Sequence, residues 1–281
     1  MTAVVPLRYD TVFKKAFGKP DIFCQFVKDV LGIEIHVDRV IAGRRYPEPV
    51  SYVDIEYDLF AEDTEKWIIV EIQHIQEVDF WERFLYYHII GLAEQVRSHA
   101  DYRFDKTVYT VVVLTGSPRQ QENNINFSVA TSNMDPVNEF GDRLSVYPHR
   151  LVFLNPRLRN EMTPESIKVW LELIDDSMDA EIEESRYSLP IYQKVIEEIK
   201  RDNITPQELR VIKDEAAWER TLRESFEEGH QEGHEEGRKT REKEIALSML
   251  QKDMDIALIS EMTGLKPEEI EALKSAELPS E

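Results

Sequence analysis

With 281 residues, 42% of them hydrophobic and 32% charged, the chain has material for one α/β domain plus an appendage and is too rich in core formers to be disordered. A net charge of −21 opposes a nucleic-acid partner for the chain as a whole, but residues 1–160 carry 23 acidic and 18 basic side chains, whereas residues 161–281 carry 32 and 16. A single cysteine excludes an internal disulfide and fits a reducing cytoplasm, and the longest aliphatic run, residues 111–114, is far too short to cross a bilayer.

The opening, MTAVVPLRYD, has neither a basic start nor a long apolar stretch, so no secretory leader is expected. Residues 9–17 and 21–31 read as two short helices, parted by Gly18, Lys19 and Pro20 and ended by Gly32. Cys24 falls in the second, where a small buried side chain fits. Local basic groups gather here: Arg8, Lys14, Lys15 and Lys19, then Arg39, Arg44 and Arg45. Residues 53–61 and 67–73 read as strands joined through 62–66, and 79–97 as a long aromatic-rich helix. Residues 107–114 are rich in β-branched side chains and read as a buried strand. A polar irregular stretch runs from Gly116 to about Asp142, and 144–154 adds a last strand, with Pro148 marking an edge or a break. Beyond Thr163 the pattern is helical, with Thr163 as a cap before Pro164 and the same signal at Thr205 and Pro206. The expected division is a core over 1–160, a helical extension over 161–224 and an acidic helical tail over 225–281.

The informative stretch is VDIEYDLFAEDTEKWIIVEIQH, residues 53–74. Folded as an antiparallel hairpin about Thr64 and Glu65, it sets Asp58 opposite Glu71 and Phe60 opposite Ile69. One face then carries Val53, Ile55, Tyr57 and Leu59 with Ile68, Val70 and Ile72. The other carries Asp54, Glu56 and Asp58 with Glu71 and Gln73. Opposed like charges destabilise a sheet unless something relieves them. Water does so on a solvated face; a hard Mg²⁺ or Mn²⁺ ion does so better and brings phosphoryl chemistry with it.

In the helix over 79–97, Phe80, Phe84, Tyr87 and Gly91 share one side, and Arg83 stands one turn before Tyr87. Arg83 reads either as a fork for a phosphate or as an arginine paired to a nearby acid beside an aromatic core stripe.

These pieces resemble a bacterial family. YDTVFKKAFG (9–18) is similar to the opening D-x-x-F-K-x-x-F of the recombination-promoting nuclease (Rpn) and transposase family, a branch of the PD-(D/E)XK nuclease superfamily. YDLFAEDTEKWIIVEIQ (57–73) resembles its Asp, turn and Ile/Val-Glu-x-Gln, and RFLYY (83–87) its R-x-x-Y-Y. The EEG repeats and MTGLKPEEI (262–270) resemble its tail. The resemblance implies a restriction-endonuclease-like α/β core with an all-helical C-terminal appendage, and a DNA endonuclease acting in recombination or transposition. It implies Asp58 and Glu71 as metal-binding carboxylates, with the Ile72 carbonyl as a third ligand. Gln73 stands where the wider superfamily has a lysine, and its neutral amide orients water or a phosphate oxygen without supplying positive charge. Asp10 would ligate the metal or order its water; its other reading is a helix-start acid favoured by the dipole. The rival to an enzyme is a degenerate nuclease fold that binds partner proteins, motivated by Gln73 and the net acidity.

In the tail, Gly229, Gly233 and Gly237 recur every fourth residue, which suits close helix approach in self-association or protein docking, or else a hinge. His230 and His234 lack the spacing of a zinc hydrolase. Residues 256–262 and 267–273 outline a helix-turn-helix, yet 253–281 hold 8 acidic and 2 basic side chains, which favours protein over phosphate contact. The DNA that the resemblance implies as substrate is expected at the N-terminal core, with no membrane partner.

Overall fold

The computed structural model describes residues 1–45, 53, 55–74, 79–96, 102–116 and 125–277. The expectations placed on Asp54, Arg97 and residues 117–124 lie outside them, as does the side chain of His230. In chain order the elements are β1 (Thr2–Ala3), α1 (Asp10–Phe17), α2 (Pro20–Leu31), β2 (Ile41–Arg45), β3 (Glu56–Glu62), β4 (Lys66–Gln73) and α3 (Phe80–Ala93). Then follow β5 (Thr107–Leu114), β6 (Val129–Asn133), β7 (Arg150–Leu154), α4 (Glu165–Ser177), β8 (Glu181–Ile182), α5 (Pro190–Ile199), α6 (Pro206–Leu250), α7 (Ile256–Thr263) and α8 (Pro267–Glu277). They form two compact units, Met1–Ala216 and Ala217–Glu281.

The first unit is built on a six-stranded mixed sheet in the order β2-β3-β4-β5-β7-β6. The β2-β3-β4 meander is antiparallel, β4-β5 and β5-β7 are parallel, and β6 closes the far edge antiparallel to β7. β5 is central, and its alternate residues are buried on both sides as a parallel strand between helical layers requires. Tyr109, Val111 and Val113 join Leu59, Ala61, Ile68 and Val70 in the core shared with α1, α2, α4 and α5. Val108, Val112 and Leu114 face the opposite layer, where α3 packs. The helical stretch after residue 160 thus begins inside the sheet's own core: Trp170 of α4 lies edge-on to Phe26 of α2, with ring centroids 5.3 Å apart.

Local chemistry explains the helix limits. Pro20 opens α2, and Gly32 ends it with φ +67 while its N–H bonds to Lys28 O. Thr205 opens α6 as a reciprocal capping box: its Oγ1 accepts from Glu208 N at 3.2 Å and Glu208 Oε2 accepts from Thr205 N at 2.7 Å. Thr163 does not cap α4 as the sequence suggests. Its hydroxyl accepts from Asn160 N and donates to Ser128 Oγ, which leaves Pro164 at the cap position.

Three features depart from the sequence reading. β2 and β6 are strands where none is predicted, because IAGRR and VATSN are edge strands whose side chains lack the apolar run of a buried one. The last strand of the core starts at Arg150, after Pro148, and not at Leu144. Cys24 is only half-buried against the core, and burial raises its thiol above the usual range.

In the second unit Ala246 and Met249 of α6 pack with Ile259, Leu265 and Ile270 of α7, α8 and their turn. Gly264 ends α7 at φ +76, a left-handed conformation costly for other residues. Gly229, Gly233 and Gly237 lie within the continuous helix α6, and a Cβ at any of them would meet open space. Among the described residues no helix is long and apolar enough to cross a membrane.

Candidate active site

β3 and β4 pair Leu59 with Val70, Phe60 with Ile69 and Ala61 with Ile68, the register that the hairpin arithmetic predicts. One step further, at Asp58 and Glu71, side chains replace the backbone ladder. Asp58 N donates to Glu71 Oε1 at 3.2 Å, and Ile72 N donates to Asp58 Oδ2 at 2.9 Å. Each carboxylate therefore holds the other's strand, and the hairpin's end is set by the two acids themselves.

The simple face alternation fails at this point. Ile55 and Tyr57 pack with Phe60 and Ile69 on the α3 side, not with Leu59. Tyr57 is drawn there by α3, where its hydroxyl donates to Tyr87 O at 3.0 Å. The break lies beside Gly43 of β2, whose φ of +66 interrupts the pairing between Ala42↔Leu59 and Arg44↔Tyr57. Nor is Glu71 on a solvated face: it is 3% exposed, whereas Glu56 is half-exposed and pairs with Arg45.

Burying two acids in contact has an electrostatic cost. Burial pushes Asp58 up to about 6, with the nearby charge of Asp10 adding to it against the pull of Lys14. Glu71 is raised well above the usual carboxylate range, first by burial and then by Asp58. Lys14 loses hydration on burial, but Asp58 and Asp10 outweigh that loss and hold its ammonium above the ordinary lysine value.

Asp10 comes in from α1. Its Oδ2 lies 2.7 Å from Lys14 Nζ, which also stands 3.3 Å from Asp58 Oδ1, so one ammonium bridges the acids of helix and strand. Asp10 Oδ1 is shielded from solvent and accepts no hydrogen bond among the described residues. Gln73 follows at the end of β4, and Arg83 Nη1 of α3 donates to its Oε1 at 3.4 Å. The guanidinium lies 5.4 Å from the Tyr87 ring centre and 5.7 Å from that of Phe84, so the aromatic stripe and the arginine act as one unit.

Two contributors escape the sequence reading. Lys14 stands there as a local basic group and as the lysine of the resembled D-x-x-F-K-x-x-F, with no role assigned to it, although its i,i+4 spacing from Asp10 is a legible sign. Glu215 of α6 reaches the start of α1, where its Oε1 accepts from Thr11 N at 3.2 Å and Thr11 Oγ1 at 2.5 Å. No local pattern announces a contact across 204 residues. Three of the basic groups near the N-terminus are engaged by acids: Lys15 pairs with Glu208, Lys19 with Glu198 and Arg45 with Glu56.

Among the described residues no three His, Cys, Asp or Glu side chains form a ready metal cage. The donors present are two carboxylates, with the Ile72 backbone between them and Gln73. That set fits Mg²⁺ or Mn²⁺, hard ions that accept one or two carboxylates and keep several waters. It does not fit a soft or fully protein-caged ion.

A mixed sheet with helices on both faces, followed by C-terminal helices, is the architecture of a restriction-endonuclease-like core with an appendage. Residues 7–227 match the family model described as PD-(D/E)XK nuclease family transposase. Residues 239–275 match that of the Rpn/YhgA-like nuclease family C-terminal HTH domain, over the end of α6, α7 and most of α8. The chain belongs to the PD-(D/E)XK nuclease family. No curated protein and no solved structure matches it.

Proposed function

We propose that the chain is a divalent-cation-dependent DNA endonuclease that hydrolyses phosphodiester bonds in recombination or transposition. The observation that carries this reading is the pair of bonds from Asp58 N to Glu71 and from Ile72 N to Asp58, which holds two acids of adjacent strands together inside the fold. Mg²⁺ or Mn²⁺, when bound, would polarise a phosphoryl oxygen and help ionise a water. Asp58, Glu71 and the Ile72 carbonyl would hold it, with Asp10 at the edge of the site. Gln73 orients water or a phosphate oxygen, and Arg83 offers its fork to the phosphate.

DNA meets the N-terminal core in this reading. Helix-turn-helix modules as a class lay their second helix in the major groove. Here α8 opens with Glu268 and Glu269, and residues 253–281 hold 8 acids against 2 bases. That balance favours a protein partner or a second copy of the chain for the C-terminal helices.

The test is nicking of supercoiled plasmid in Mg²⁺ by wild type, Asp58→Ala and Glu71→Ala. Wild type cuts and both variants lose the activity. Equal cutting by all three removes the assigned site. A protein that never cuts, and never melts higher with Mg²⁺ or Mn²⁺, is the degenerate fold instead.

A further inference from the structure

We propose that Lys14 is a second cation of the site beside Arg83, supplying from α1 the positive charge that Gln73 cannot supply from β4. This rests on the nuclease reading above and deepens it.

Three lysines sit on or just after α1, and they part company. Lys15 donates to Asn203 O and Glu208, and Lys19 pairs with Glu198, so both tie helices together. Lys14 turns to the carboxylates instead, 2.7 Å from Asp10 Oδ2 and 3.3 Å from Asp58 Oδ1, with its side chain only 18% exposed. A lysine serving merely to solubilise a helix keeps its ammonium in water. This one sits among the acids that would hold the metal.

The site needs such a charge. On the strand, Gln73 is neutral and is engaged with Arg83. In hydrolysis a water oxygen bonds to phosphorus, the bond from phosphorus to the leaving sugar oxygen breaks, and a proton from the water ends on that oxygen. Negative charge builds on the phosphoryl and leaving oxygens as this happens, and a fixed cation lowers the barrier. Lys14 keeps its proton throughout and acts by charge alone. Before metal enters, the same ammonium neutralises Asp10 and Asp58, so it competes with the ion for Asp58.

Wild type, Lys14→Met, Lys14→Arg and the double variant Lys14→Met/Gln73→Lys are compared in two assays: plasmid nicking and the Mn²⁺ concentration at half-maximal rise in melting temperature. Lys14→Met lowers kcat about 100-fold with little change in KM for DNA, Lys14→Arg retains most of the rate, and moving the charge to Gln73→Lys recovers about tenfold or more. The Mn²⁺ midpoint of Lys14→Met falls, because the competing ammonium is gone. A wild-type rate in Lys14→Met overturns the proposal and leaves the nuclease reading standing. So does a dead Lys14→Met that the relocated lysine cannot rescue and whose Mn²⁺ midpoint rises, since that is the behaviour of a structural strut. A wild type that neither nicks nor responds to Mn²⁺ overturns both.

Discussion

Glu215 of α6 takes both the backbone N–H and the hydroxyl of Thr11 on a single carboxylate oxygen, at 3.2 and 2.5 Å. It thereby caps the first turn of α1, the turn that begins with Asp10. The acid's own pKa is raised by burial, a cost that these two bonds offset only in part. Glu215→Ala leaves Thr11 N without its acceptor and destabilises the protein by about 1 kcal/mol, the usual worth of a lost cap. Glu215→Gln keeps an acceptor and loses less. Urea unfolding of the two variants checks the order, and an equal loss in both would deny the cap its role.

Glu71→Gln separates stability from function. The amide oxygen still accepts from Asp58 N, while an acid whose ionised form burial and Asp58 disfavour is replaced by a neutral group. The metal-free variant is more stable than wild type, by on the order of 1 kcal/mol, as expected where a functional site holds strained electrostatics. Its melting temperature no longer rises with Mn²⁺. A fall in metal-free stability would show that the Glu71 charge is well accommodated.

His88 gives a pH dependence of a definite sign. It is fully buried, its Nδ1 pairs with Thr110 Oγ1 at 2.9 Å, and burial together with His149 brings it down from 6.5 to about 4. Between those values the unfolded chain binds a proton that the folded chain refuses. Its stability contribution is thus complete above pH 6.5 and is lost as pH falls toward 4. At pH 5 the loss is about 2 kcal/mol relative to pH 7. Asp58 works in the opposite sense, because its raised pKa favours the folded state below 3.8 and loses that advantage as pH rises through about 6. The difference between wild type and His88→Gln, unfolded in urea at pH 5 and pH 7, isolates the histidine. A variant with the wild-type pH slope would contradict the assignment.

The raised Asp58 also fixes how metal binding depends on pH. A carboxylate must be ionised to hold the ion, so Mn²⁺ binds more tightly as pH rises through about 6. Calorimetric titration at pH 5, 6 and 7 reads this directly. Affinity unchanged across that range would place the ion on acids that are already ionised at pH 5.

Much of the frame was legible because the apolar pattern carries it. Residues 107–114 are a strand with the predicted limits, and the 58/71 register follows from pairing apolar against apolar on either side of Thr64. Edge strands escaped, since Gly43 and two arginines in β2, or Thr131, Ser132 and Asn133 in β6, leave no buried face to read. The hairpin faces were misread at Tyr57, whose partner Tyr87 lies on a helix 30 residues later. At the site, the acids on β3 and β4 stood out because opposed carboxylates are unfavourable without a reason. Lys14 and Glu215 did not, because each acquires its meaning only from acids or amides that folding brings to it.

The central claim is that Asp58 and Glu71 jointly hold a hard divalent ion. The anomalous signal of a crystal soaked in Mn²⁺ tests it most directly. The expected peak stands about 2.1 Å from an oxygen of each carboxylate and from the Ile72 carbonyl, with Lys14 displaced from Asp58. A Mn²⁺ peak confined to the acidic tail, or none with Lys14 still bridging Asp10 and Asp58, would contradict it.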